Sequence, residues 1–138
     1  IVLNEIDLDN IMRTKAAVYA GCTVLLKSGG IEFTDLDSVI IAGGFGHSID
    51  IEKAIIIGLL PQLPVENFRF MGNTSLGGAR IAAVSREFYT KTADIARAMT
   101  NIELSGNTQF MNEFMAAMFL PHTDDRAFPE VIKMLGNR

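Results

Sequence analysis

The chain has 138 residues, 49% of them hydrophobic and 20% charged, with a net charge of −4. That length holds one domain with its own core, and the acidic balance argues against a broad nucleic-acid footprint, which is normally basic. No window approaches ~18 uninterrupted apolar residues, so no membrane span is indicated, and the opening "IVLNEIDLDN" lacks the basic and apolar regions of a secretory signal.

Residues 9–27, "DNIMRTKAAVYAGCTVLLK", carry apolar side chains at Ile11, Val18, Cys22, Leu25 and Leu26, with Ala16, Ala17 and Tyr19 filling the same broad face. That spacing predicts one long helix, capped by Asp7 or Asp9 and stopped by "SGG" at 28–30. Cys22 is the single cysteine. It excludes a disulfide framework, makes a cytosolic (cytoplasmic) setting the default, and reads as a small buried hydrophobe. Arg13 and Lys15 read as part of a solvated helix face. The chain starts without methionine, in mid-pattern, which predicts a fragment of a longer protein.

Next comes "DSVIIAGG", whose consecutive apolar residues Val39–Ala42 predict a parallel strand covered on both faces. A short Ile-rich helix over 50–59 follows, stopped by Pro61. "NFRFMGN" at 67–73 reads as a second short strand, and "TSLGGARIAAVSREFY" at 74–89 as a helix capped by Thr74 or Ser75. "KTADIARAMTN" reads as helical to Met99 and "IELS" at 102–105 as a short strand. Residues 107–119 place Phe110, Phe114 and Met118 four apart, an amphipathic helix. Pro129 opens a last short helix, and the tail from Gly136 is expected to fray. Helix, strand, helix, strand, helix is the order of an α/β fold with a parallel sheet and helical crossovers, followed by a mostly helical tail.

Both strands end in glycine: "IIAGGFG" and "RFMGN". In parallel α/β sheets ligands sit beyond the carboxyl ends of the strands. Gly43 and Gly44 lack Cβ, so a flat ring or a phosphate can approach the main chain, and free N–H groups at the start of the 50–59 helix can face an anion. Phe45 or Ile49 can contact a base or ribose, and the Asn73 amide sits in the same mouth. The pattern is neither G-x-G-x-x-G, since position 49 is isoleucine, nor a P-loop, since His47 and Ser48 follow Gly46. Two tight turns chosen for backbone geometry alone remain the alternative.

The stretch "VIIAGGFG" before a helix resembles the adenosine motif of the actin-like ATPases, the superfamily of sugar kinases, acetate kinases, heat-shock chaperones and actin. Five stretches together, "NIMRTKAAVYAG", "IAGGFG", "IGLLP", "MGNTSLGGA" and "IELS", are similar to one family within it. These are the iron–sulfur-bearing reductive activators of corrinoid proteins and their relatives described as ferredoxin-like or metal-binding proteins. The resemblance covers residues ~5–120, in the order and spacing of that family.

It implies a partial actin-like ATPase (ASKHA, RNase H-like) domain: the C-terminal portion, with an α/β core over 1–89 and a helical tail over 90–138. It implies ATP with Mg as cofactor of the full-length protein, and an iron–sulfur cluster on a domain absent from this chain. In the family, ATP hydrolysis helps drive electrons uphill from that cluster to inactive Co(II) corrinoid. Carried over by position, Gly43, Gly44, Phe45 and Gly46 would border the adenosine and α-phosphate, and Gly72 and Asn73 would close the cleft from the next strand. Gly78 and Ala79 would pack the following helix tightly on the sheet. The implied partner is a corrinoid protein or methyltransferase, with no nucleic acid and no membrane. The phosphate hairpins and the Mg-holding acid belong upstream in the superfamily, so neither a catalytic nor a metal residue is assigned here, and the fragment alone is expected to be inactive as an ATPase.

His47 reads as an exposed turn residue and His122, in "LPHTDD", as part of a solvated loop, since a metal site needs more ligands at defined spacing. The Met and Phe stripe at 110–119 reads as core packing. Two other functions fit the same motifs: a sugar- or acetate-kinase-like phosphotransferase fragment, and a non-catalytic partner-docking module using the apolar tail. The strand at 39–42 is expected to need cover on its outer edge, either from "IELS" or from a second copy, as a symmetric or swapped homodimer.

Overall fold

The computed structural model describes residues 2–44 and 46–136. The elements are α1 (Glu5–Ser28), β1 (Val39–Ile41), α2 (Ile51–Ile56), β2 (Phe68–Phe70), α3 (Thr74–Val84), α4 (Arg86–Ala98), α5 (Thr108–Ala117) and α6 (Pro129–Gly136), with four single turns of 3₁₀ helix between them. They fall into two compact units that interleave along the chain: Ile1–Asp37, Asp50–Asn67 and Glu103–Arg138 form one, Ser38–Ile49 and Phe68–Ile102 the other.

The first unit is helical. α1 starts earlier than its apolar pattern suggests, because Asn4 is the N-cap: its Oδ1 accepts from Asp7 N–H at 2.9 Å while the Asp7 carboxylate accepts from Asn4 N–H at 3.1 Å, a reciprocal capping box. α1 packs chiefly against α5. Its buried face is Lys15, Ala16, Tyr19, Ala20, Thr23 and Val24, one side of a helix at i, i+4, i+8. Cys22 is exposed, not buried, and so are Ile11, Val18 and Leu25. α1 is apolar on two sides, and packing takes the side whose alanines allow α5 to approach. Phe110, Phe114 and Met118 are half-buried along α5, with the two rings 6.1 Å apart. "IELS" is a loop rather than a strand: the Glu103 carboxylate accepts from Ser105 N–H at 2.9 Å, and the chain runs directly into the Asn107 cap of α5. Asn137 and Arg138, the end of the tail expected to fray, lie outside the described residues.

The second unit holds the sheet. β1 and β2 pair in parallel with Val39 opposite Phe68, Ile40 opposite Arg69 and Ile41 opposite Phe70, and the chain between them passes through α2. Among the described residues the sheet has these two strands only. Ile40 is 60% exposed, so the cover on both faces expected from four apolar residues in a row is not found. The helix expected over 74–89 is two helices. Ser85 ends α3 by donating its N–H to Ile81 O and starts α4 by accepting from Phe88 N–H. Its side chain offers the backbone a non-helical bond in mid-pattern, which breaks the helix there.

Candidate functional site

The two glycine turns lie side by side. Gly43 N–H donates to Gly72 O at 2.8 Å and Met71 N–H to Ile41 O at 3.0 Å, so the parallel ladder continues past both strands into the turns. The adjacency expected from a single crossover is therefore present.

Each glycine has its own reason to be there. Gly43 and Gly72 have φ of 124° and 63°, backbone conformations that a side chain disfavours. Gly46 is buried, and a Cβ on it would lie 3.0 Å from Ile41 Cγ2 and 3.6 Å from Phe70 Cδ1, so its smallness serves local packing. Gly44 fits neither account: its φ is not positive, it is exposed, and a Cβ there would meet no atom of the described residues within 4 Å. Phe45 lies outside the described residues, as does the side chain of His47.

Asn73 is the N-cap of α3: its Oδ1 accepts from Leu76 N–H at 3.0 Å, a role that Thr74 and Ser75 had been expected to take. Ala42, Gly44 and residues 71–73 are exposed, so the turns form an open shelf. Nothing approaches Gly77 or Gly78 within 4 Å of a built-in Cβ position, so the tight packing implied for Gly78 is not seen among the described residues. In the first unit the start of α2 is already occupied by an anion of its own. The Asp50 carboxylate accepts from Lys53 N–H at 3.1 Å and pairs with Lys53 Nζ at 2.7 Å, so the free N–H groups expected there are capped.

A cavity of about 600 Å³ lies in the first unit, against Tyr19, Phe33, Glu113, His122, Asp124 and Arg126. Its charges are mostly satisfied within the unit: Lys27 pairs with Glu113 at 2.6 Å and Arg126 with Asp124 at 2.8 Å. The Arg126 guanidinium holds the Asp124 carboxyl down at about 2. His122 is half-buried, its ring 5.3 Å from that of Tyr19, and its Nδ1 accepts from Asp124 N–H at 3.0 Å. Burial, aided by Lys15, lowers its pKa despite the nearby acids. It is a packed, neutral ring and not the solvated loop residue expected. No group of three His, Cys, Asp or Glu that could hold a metal occurs among the described residues.

Lys15 is the functional-looking residue that helical periodicity misplaced. It is 1% exposed. Its Nζ donates to Pro121 O at 2.7 Å and also to Phe119 O, and burial lowers its pKa to about 8.

Residues 1–132 match the family model described as the C-terminal domain of RACo, the ASKHA domain. The chain belongs to that family. It is 36% identical over 115 residues to the corrinoid activation enzyme RamQ of Eubacterium limosum, a match covering 83% of this chain and 19% of that protein. It is 25% identical over 120 residues to a [Co(II) methylated amine-specific corrinoid protein] reductase of Methanosarcina barkeri, covering 86% and 22%. Among solved structures, a reductive activator for corrinoid, iron–sulfur protein superposes with a TM-score of 0.87 at 47% identity, covering 94% of this chain and 21% of that one. The chain thus spans about a fifth of each of these relatives. The short parallel sheet with a helical crossover is the ASKHA architecture expected from its motifs. No helix among the described residues is long and apolar enough to cross a membrane.

Proposed function

We propose that this chain is the nucleotide-binding later portion of an ATP-dependent reductive activator of corrinoid proteins, working in the cytoplasm. The relatives named above support the activity. The observation that carries the site is Gly44: among the described residues neither backbone geometry nor a neighbour accounts for its missing side chain, whereas close approach of an adenosine to the main chain would. On this reading Gly43, Gly44, Phe45 and Gly46 line one side of the nucleotide and Gly72 and Asn73 the other. The single cysteine does not supply the several thiolates that an iron–sulfur cluster takes, so on this reading the electron donor is not formed by these residues. The outer edge of β1, which among the described residues pairs only with β2, takes a further strand from the rest of the longer protein or from a second copy. Sedimentation of the full-length protein distinguishes the two.

Gly44→Val in the full-length protein is expected to weaken ATP binding at least tenfold in a calorimetric titration, with an unchanged circular-dichroism spectrum and melting temperature, because the added methyls project into open space. Unaltered affinity would reduce the turn to a structural role.

A further inference from the structure

His122 sits where only a neutral ring is satisfied. Its Nδ1 accepts from Asp124 N–H at 3.0 Å, so the proton of the neutral imidazole is on Nε2. That Nε2 is buried and has no hydrogen-bond partner among the described residues. An imidazolium donates from both nitrogens. Here one nitrogen faces a donor and the other has no acceptor, so charging the ring breaks the bond to Asp124 and leaves a cation held by nothing.

The groups around the ring do not relieve this. Glu113 on α5 and the adjacent Asp124 favour the charged form. Each is already bound to its own cation, Glu113 to Lys27 at 2.6 Å and Asp124 to Arg126 at 2.8 Å. On α1, the Lys15 ammonium opposes a second positive charge, and Tyr19 meets the imidazole ring to ring at 5.3 Å. Glu32 lines the same cavity without reaching either ring nitrogen.

The ring helps to hold a short segment in place. Residues 122–128 form one wall of the 600 Å³ cavity through His122, Asp124, Arg126 and Ala127. The segment is held by Thr123 N–H, which donates to Ala116 O at 3.1 Å, and by Phe128, which is fully buried with its ring 5.4 Å from Tyr19 and 6.3 Å from His122. With so few ties it can open without the rest of the unit.

We propose that His122 is a proton-controlled latch: uptake of a proton by its ring releases residues 122–128 from α1 and opens that wall of the cavity. The latch depends neither on the nucleotide site nor on the activation reading. Its direction follows from burial, which lowers the pKa of the packed ring from 6.5. Above pH 6.5 the ring is neutral whether the segment is packed or open. Below it the open form takes the proton first, so opening becomes easier by up to about tenfold per pH unit until the packed ring also titrates.

The test is amide hydrogen exchange of the full-length protein from pH 7.5 to 5, read by mass spectrometry and corrected for the intrinsic pH dependence of exchange. A peptide over residues 119–128 is expected to lose protection by up to about tenfold between pH 6.5 and 5.5, while a peptide over α3 keeps its own. His122→Asn places an amide oxygen near the Nδ1 position and cannot be charged; its 119–128 protection is expected to be independent of pH, whatever its level. Exchange of the imidazole C2 hydrogen reads the His122 pKa in the wild type without any variant, and a value below 6.5 is expected. Constant protection of 119–128 in the wild type, the same loss in His122→Asn, or a His122 pKa at or above 6.5 would each overturn the latch. An equal loss in the α3 peptide would also overturn it, by showing that acid unfolds the whole protein.

Discussion

Gly58→Ala is expected to destabilise the first unit by about 3 kcal/mol or more, seen as a fall in melting temperature on the order of 10 °C. Two penalties coincide at this position. Gly58 has φ of 75°, where a Cβ crowds the following carbonyl and costs roughly 1–2 kcal/mol. A Cβ would also lie 2.2 Å from Pro121 O and 2.9 Å from Pro121 C, and main chain cannot step aside as a flexible side chain can. Gly30→Ala separates the two penalties. Its φ of 67° is similar, yet a Cβ there meets nothing within 4 Å, so it is expected to lose only the conformational part, about 1 kcal/mol. Equal melting temperatures for the two variants would mean that the 119–122 turn yields and that the contact with Pro121 is not a constraint.

That contact gives "IGLLP" a physical meaning that the sequence left open. Gly58 ends α2 because only glycine fits under Pro121, and Leu59 N–H then donates to Ala54 O at 2.8 Å, closing the helix. Elements defined by local chemistry were legible: the apolar run at 39–41 bounded by glycine and the Pro129 start of α6 depend on neighbours within four residues, whereas the caps were read one to five residues too late, at Asp7 or Asp9 instead of Asn4 and at Thr74 or Ser75 instead of Asn73. The paired glycine turns were legible for the same reason, since one crossover between two short strands leaves few arrangements. What failed depended on contacts distant in sequence. Periodicity gave α1 one broad apolar face and could not say that packing would take only its Ala16–Ala20 part, which reversed the expected burial of Cys22. A strand was read in "IELS" from β-compatible residues, but Ser105 and Gly106 form a turn that makes it a lead-in to α5. The break at Ser85 did leave a signal, a serine three residues before Phe88 in the position of an N-cap, hidden by the apolar residues on either side.

Lys15→Met is expected to cost about 2–3 kcal/mol at pH 7, although it replaces a buried charge by an apolar side chain of similar length. Burying an ammonium is costly, and swapping a buried charge for a hydrophobe is often neutral when its partners are replaced too. Here they are not. Pro121 O and Phe119 O accept from Lys15 Nζ, and Met would leave both carbonyls without their donor, at about 1–3 kcal/mol each when buried. The pH dependence has a definite sign. Burial lowers the folded-state pKa of Lys15 to about 8 from 10.5, so below pH 8 the residue is charged in both states and the cost of its burial is constant. Between pH 8 and 10.5 the folded protein has released the proton while the unfolded chain still holds it. Stability from this group therefore rises with pH across that window, by roughly 1.4 kcal/mol per unit at the steepest. Tyr19 beside it is pushed up to about 12 by burial and by the carboxylates of Glu113 and Asp124. Its unfolded form ionises first, so it acts in the opposite direction above pH 10. Chemical denaturation of wild type and Lys15→Met at intervals from pH 7 to 9.5 keeps clear of that second titration. The stability gap between the two proteins is expected to widen as pH rises through 8. A gap that stays constant would mean that Lys15 keeps an ordinary pKa in the folded state, with its two carbonyl partners compensating fully for the water it has lost.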